Sequence, residues 1–169
     1  MPALIPELVN MASGPRVTTS DLLRRALVAA RQLKQTEWAT WISYELHGYP
    51  DGVELPSYRL LKCELKAMNP MRGMIPLIID HAEFAARLSM CRMAHSISAL
   101  EALAIPGKNL RFAFSSEIVA SLMHDLGISM VPERVLGANQ VRALIDAVRD
   151  KLLMWLNRTW FSRHSVAEK

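Results

Sequence analysis

The chain has only two cysteines, Cys63 and Cys91, and no run near the roughly 20 apolar residues that a membrane-spanning helix requires. The first scarcity excludes a secreted disulfide scaffold and a zinc site of paired thiols, and it predicts two buried free thiols. The second excludes a helical membrane protein. The opening segment MPALIPELVN carries an acid and two prolines instead of a basic leader, so a cytoplasmic protein without membrane association is expected. Charge of one sign is not concentrated anywhere: 20 basic residues face 16 acidic ones, a net +4 spread along the chain without a polybasic tail. That balance permits weak attraction to nucleic acid without singling it out. Also missing are a Gly-rich phosphate loop, HExxH, a Gly-x-Ser-x-Gly elbow and a Cys/His cluster at metal spacing. The readily recognised enzymes drop out with them, and no cofactor or metal is expected. Asp80-His81-Ala82-Glu83 is the nearest approach to a ligand set and reads as solvated surface.

What is present is ordinary globular material, 51% hydrophobic in 169 residues, expected to fold as one domain spanning residues 1–169. A domain of that size buries about two thirds of its unfolded surface and needs no staple. Thr18 with Asp21 opens an amphipathic helix over Thr19 to Lys34, whose apolar positions Leu22, Leu23, Ala26, Leu27, Ala30 and Leu33 recur at three- and four-residue steps. Its other side carries Arg24, Arg25, Arg31 and Lys34, read as a solvated basic face. A second helix capped by Thr36 runs through Trp38, Trp41, Ile42 and Leu46 to a stop at Gly48, with its tryptophans expected against the first helix's leucines. Leu61 to Ala67 alternates as a half-exposed strand, and Met68 to Pro76 reads as a loop.

Leu77 to Met93 reads as helix first and strand second. A helix capped by Ser96, a short strand at Leu110 to Phe114, a helix from Ser115 or Ser116 to Gly127 and a strand at Ile128 to Val131 follow. The longest pattern comes last. After an Asn139 cap, Val141, Leu144, Ile145, Val148, Leu152, Trp155 and Leu156 mark a helix that must cross the core, with Arg142, Asp146 and Arg149 spaced for ion pairs on its outer side. The fold class is therefore α+β, predominantly helical, with a small antiparallel sheet from the Tyr58, Ser89 and Leu110 regions. An all-helical bundle is the alternative.

One polar constellation stands out. Glu45, Tyr49, Tyr58 and Arg59 flank a single tight connection marked by Gly48, Pro50, Gly52 and Pro56. The guanidinium suits phosphate or a partner carboxylate, with tyrosines stacking beside it. The competing reading has Glu45 and Arg59 locking the turn.

The segments SDLLRRALVAARQL, WISYELHGYPDGVELPSYR, SISALEAL, LRFAFSSEIVASL and VRALIDAVRDKLLMWL, in that order, resemble the AbiTii domain family of bacterial defence systems. The most specific part is W-I-x-x-E-L-x-G-Y-P followed by L-P-x-Y-R, which here supplies Trp41, Ile42, Glu45, Leu46, Gly48, Tyr49, Pro50, Leu55, Pro56, Tyr58 and Arg59. Asp146 and Arg149 supply the D-x-V-R of the last helix. The resemblance implies abortive infection, or related antiphage immunity, as context. Within it the expectation is a non-catalytic sensor or adaptor that recognises a phage component, a nucleic acid or a partner effector, with Glu45, Tyr49, Tyr58, Arg59 and Arg149 as binding residues. Association with a second copy of the chain is a further candidate. The alternative is a toxin-like enzyme acting on nucleic acid or nucleotide through Glu45, Arg59 and Arg149.

Overall fold

The computed structural model describes residues 4–164. In chain order the first elements are α1 (Leu4–Ser13), α2 (Thr19–Gln32), α3 (Thr36–His47), β1 (Leu60–Lys62), β2 (Glu64–Asn69) and β3 (Gly73–Pro76). Then come α4 (Ala82–Ser89), β4 (Met90–Arg92), α5 (Ile97–Leu103), β5 (Asn109–Ala113), α6 (Ser116–Leu126), β6 (Pro132–Gly137) and α7 (Ala138–His164). The class is α+β, mostly helical, with antiparallel sheet. These elements form two compact units. The helical unit gathers the chain up to Leu55, Ala94–Ala102 and the chain from Arg142 onward, and the sheet unit gathers Pro56–Met93 and Leu103–Val141.

In the helical unit, α2 is capped twice at its start. Thr18 Oγ1 accepts from Asp21 N–H at 3.2 Å, and the Glu101 carboxylate of α5 accepts from the backbone N–H groups of Thr19 and Ser20 at 2.8 and 3.2 Å. Ordinarily those first amides have no partner inside the helix. The stripe Leu22, Leu23, Ala26, Ala29 and Ala30 is buried as its spacing requires. The helix ends two residues short of the expected Lys34. Gln35 N–H bonds back to Ala30 O at 2.9 Å and Lys34 N–H to Arg31 O at 3.0 Å, a Schellman closure that needs a left-handed residue. Lys34 takes that conformation at φ 55°. Gly127 makes the same closure after α6, so the missing glycine is why the first stop is invisible in sequence.

Thr36 lies inside α3 instead of capping it, and the boundary residue is Gln35, whose carboxamide accepts the Trp155 indole N–H at 2.6 Å. The tryptophans of α3 also meet α7. Trp38 stacks on Trp155 of α7 at 5.4 Å between centroids and meets Trp41 edge-on, while Ile42 is the fully enclosed apolar side chain of α3. Lys151 places its ammonium 4.8 Å from the Trp41 ring, a cation–π contact. The α7 stripe from Val141 to Leu156 is buried, Trp155 to within 2%, and enclosing one indole contributes several kcal/mol (~3).

In the sheet unit, four antiparallel strands lie in the order β3-β2-β6-β5, and β1 pairs with β4 as a separate ribbon. The Tyr58 and Ser89 regions thus share a ribbon, but the Leu110 region belongs to the other sheet. Met68 to Pro76 is a hairpin instead of a loop: Met68 pairs with Met74, and Asn69 Oδ1 accepts from Met71 and Arg72 N–H in the turn. Its Pro76 ends an edge strand, where a missing N–H costs no ladder bond. The last strand begins at Pro132, where Ile128 to Val131 was expected, because a proline is tolerated as a first strand residue. From Gly137 the chain enters α7 at once, with Gln140 Oε1 accepting the Gly137 N–H in place of an Asn139 cap.

Cys63 and Cys91 form a disulfide and are not free thiols. The cause is register. Leu61 lies opposite Cys91, and Cys63 N–H continues the ribbon by donating to Ser89 O at 2.7 Å, which brings the two Cα atoms to 6.2 Å.

Candidate functional site

Glu45 sits in the last turn of α3 with no exposed surface. Gly48 stops that helix at φ 92°, ψ 161°, and a Cβ there would come within 3.0 Å of Ala94 O. The approach lets Tyr49 N–H donate to Ala94 O at 2.9 Å and turns the phenol back so that its hydroxyl donates to Glu45 Oε1 at 2.7 Å. A buried carboxylate held this way avoids the cost of an unsatisfied charge. Tyr44 packs on Tyr49 with centroids 5.2 Å apart.

Arg59 ends a single 3-10 turn, Ser57–Arg59, opened by Pro56. It too is fully buried. Its Nη1 donates to Met93 O at 2.5 Å and its carbonyl accepts from Met93 N–H at 2.9 Å, so one residue is gripped by side chain and backbone together. Tyr58 is half-buried beside it. Glu45, Tyr49 and Arg149 belong to the helical unit, Tyr58 and Arg59 to the sheet unit.

Arg149 projects from α7 toward the segment after α1. Its Nε donates to Ala12 O, Nη1 to Val17 O and Thr19 Oγ1, and Nη2 to Met11 O and Gly14 O, all between 2.6 and 3.3 Å. Guanidinium has five N–H donors, and all five are engaged. None is left for the Asp146 carboxylate that the helix spacing offered.

Sequence reasoning passed over a groove between α2 and α3. It encloses about 550 Å³ and is lined by Ala30, Arg31, Lys34, Gln35, Thr36, Ala39, Thr40, Ser43 and Tyr44. Arg31 and Lys34 were legible as cations, but the concavity depends on how the two helices cross, which spacing within either helix does not encode. Among the described residues no group of three or more His, Cys, Asp or Glu side chains is placed to hold a metal ion. His81 of the acidic fragment caps α4 through Nδ1, which accepts from Phe84 N–H at 3.3 Å. Likewise, no helix of the described residues is long and apolar enough to cross a membrane.

Comparison with protein families gives a match to the AbiTii family model over residues 3–164. The chain belongs to the AbiTii family. Its name suggests an abortive-infection role in antiphage defence. No curated protein and no solved structure matches the chain. Five of the eleven AbiTii residues quoted above from the helix stop, Ile42, Glu45, Tyr49, Leu55 and Arg59, are buried.

Proposed function

We propose that this AbiTii chain is a non-catalytic sensor or adaptor of an abortive-infection system, acting in the cytoplasm as one functional domain and recognising its trigger or partner effector by binding. One observation carries the reading. Glu45 and Arg59, the best acid and cation for a reaction at the helix stop, have no exposed surface and are held by Tyr49 and Met93. A group that serves a substrate must come within hydrogen-bond reach of it. Arg149 is likewise fully engaged by its own chain.

The test is a turnover assay on the purified chain with labelled DNA, RNA, ATP and a dinucleotide. No product above a mock preparation is expected, while plaque formation in a host that carries the chain with its neighbouring genes should fall only when the chain is present. Cleavage or hydrolysis that scales with protein and survives repurification would overturn the reading.

A further inference from the structure

We propose that the groove between α2 and α3 binds a phosphate-bearing nucleotide, free or at a single-stranded nucleic-acid segment. Three grooves of the helical unit can be compared. The one beside Leu8 includes Glu7, and the one beside Arg16 includes Asp21. There Arg25 pairs with Glu7 and Arg24 with Asp21, so these two cations are compensated within the protein, and Arg16 shares its groove with the Asp21 carboxylate. The α2/α3 groove has no carboxylate in its lining. Neither of its cations, Arg31 and Lys34, has an ion pair or side-chain hydrogen bond among the described residues.

Two uncompensated cations converge on one concave space, and an anion with more than one charged oxygen is the complement. Guanidinium addresses two oxygens at once and the ammonium a third, a division that suits a phosphate better than a lone carboxylate. The remaining lining favours a nucleotide over inorganic phosphate. Tyr44 offers an aromatic surface to a base, Thr36 and Ser43 offer hydroxyls to a sugar, and about 550 Å³ falls within the range of small-ligand sites. Lys34 also holds its place in the left-handed region at φ 55°, where the parallel closure after α6 uses glycine. That contrast supplies a clean variant, because Lys34→Gly removes the charge while favouring the backbone.

Binding at this groove does not require the adaptor reading, since it is measured directly on the full chain and a failure of one leaves the other standing. The probes are fluorescein-labelled single-stranded DNA by anisotropy, with ATP and inorganic phosphate by calorimetry, over a salt series. For at least one nucleotide probe, Arg31→Ala and Lys34→Gly should each weaken binding tenfold or more, and Arg24→Ala should bind as wild type. On DNA the slope of log affinity against log salt should fall by about 0.7 for each charge removed. Binding to ATP alone assigns a free nucleotide, and binding to DNA alone assigns a strand. No binding to either, binding to inorganic phosphate alone, or equal loss in Arg24→Ala would overturn the proposal.

Discussion

Arg149 donates five hydrogen bonds to residues between Met11 and Thr19, and lysine carries three donors at most, without the planar fork that reaches them. Arg149→Lys should therefore cost about 2–3 kcal/mol by leaving carbonyls near α1 without partners. A urea midpoint equal to wild type would refute this. Tyr49→Phe is a smaller change with the same logic. It deletes the donor to an enclosed Glu45 carboxylate and should cost about 1–2 kcal/mol, read from thermal unfolding near neutral pH. At this scale the sequence marks which residues are special better than what they do. Glu45 and Arg59 stand out because few chemistries put charge beside a glycine-proline stop. Yet whether a charge faces water or a backbone carbonyl depends on chain segments about 34 residues away, as Met93 shows for Arg59.

Helix stops separate into those written in glycine and those written in geometry. Gly127 ends α6 and Gly48 ends α3 where a reader of the sequence would place them, but Lys34 does glycine's work between α2 and α3. Lys34→Gly should leave the thermal midpoint unchanged or raise stability by as much as about 1 kcal/mol, the left-handed strain relieved being partly offset by a looser unfolded chain. Gly127→Ala should lower it by about 1 kcal/mol, since φ 60° there suits glycine. A drop for Lys34→Gly larger than that for Gly127→Ala would contradict the account. Amphipathic helices were legible because their period of 3.6 is local. The β2–β3 hairpin and the Cys63–Cys91 bond were not, because both depend on which segments pair. Closing a span of 28 residues, the bond restricts the unfolded chain by about 3–4 kcal/mol. Adding dithiothreitol should lower the urea midpoint accordingly, and an identical midpoint with and without reductant would count against that contribution.

For the molecule as a whole, neither unit is a continuous stretch of chain. The helical unit needs three segments and the sheet unit two. A fragment of residues 1–55 lacks Glu101, Arg149 and Trp155, the partners of α2, the α1 end and Gln35. It should show little helix by circular dichroism, because isolated helices of 12 to 14 residues are marginal in water. A strongly helical, cooperatively melting fragment would refute this dependence. The same interleaving appears inside the sheet, where β6 is the last strand along the chain but lies between β2 and β5. During synthesis on the ribosome, at roughly 5–20 residues per second, the β2–β3 hairpin and β5 emerge seconds before the strand that joins them. Until then each shows an unpaired edge, which makes the nascent chain most prone to mispairing just before β6 emerges.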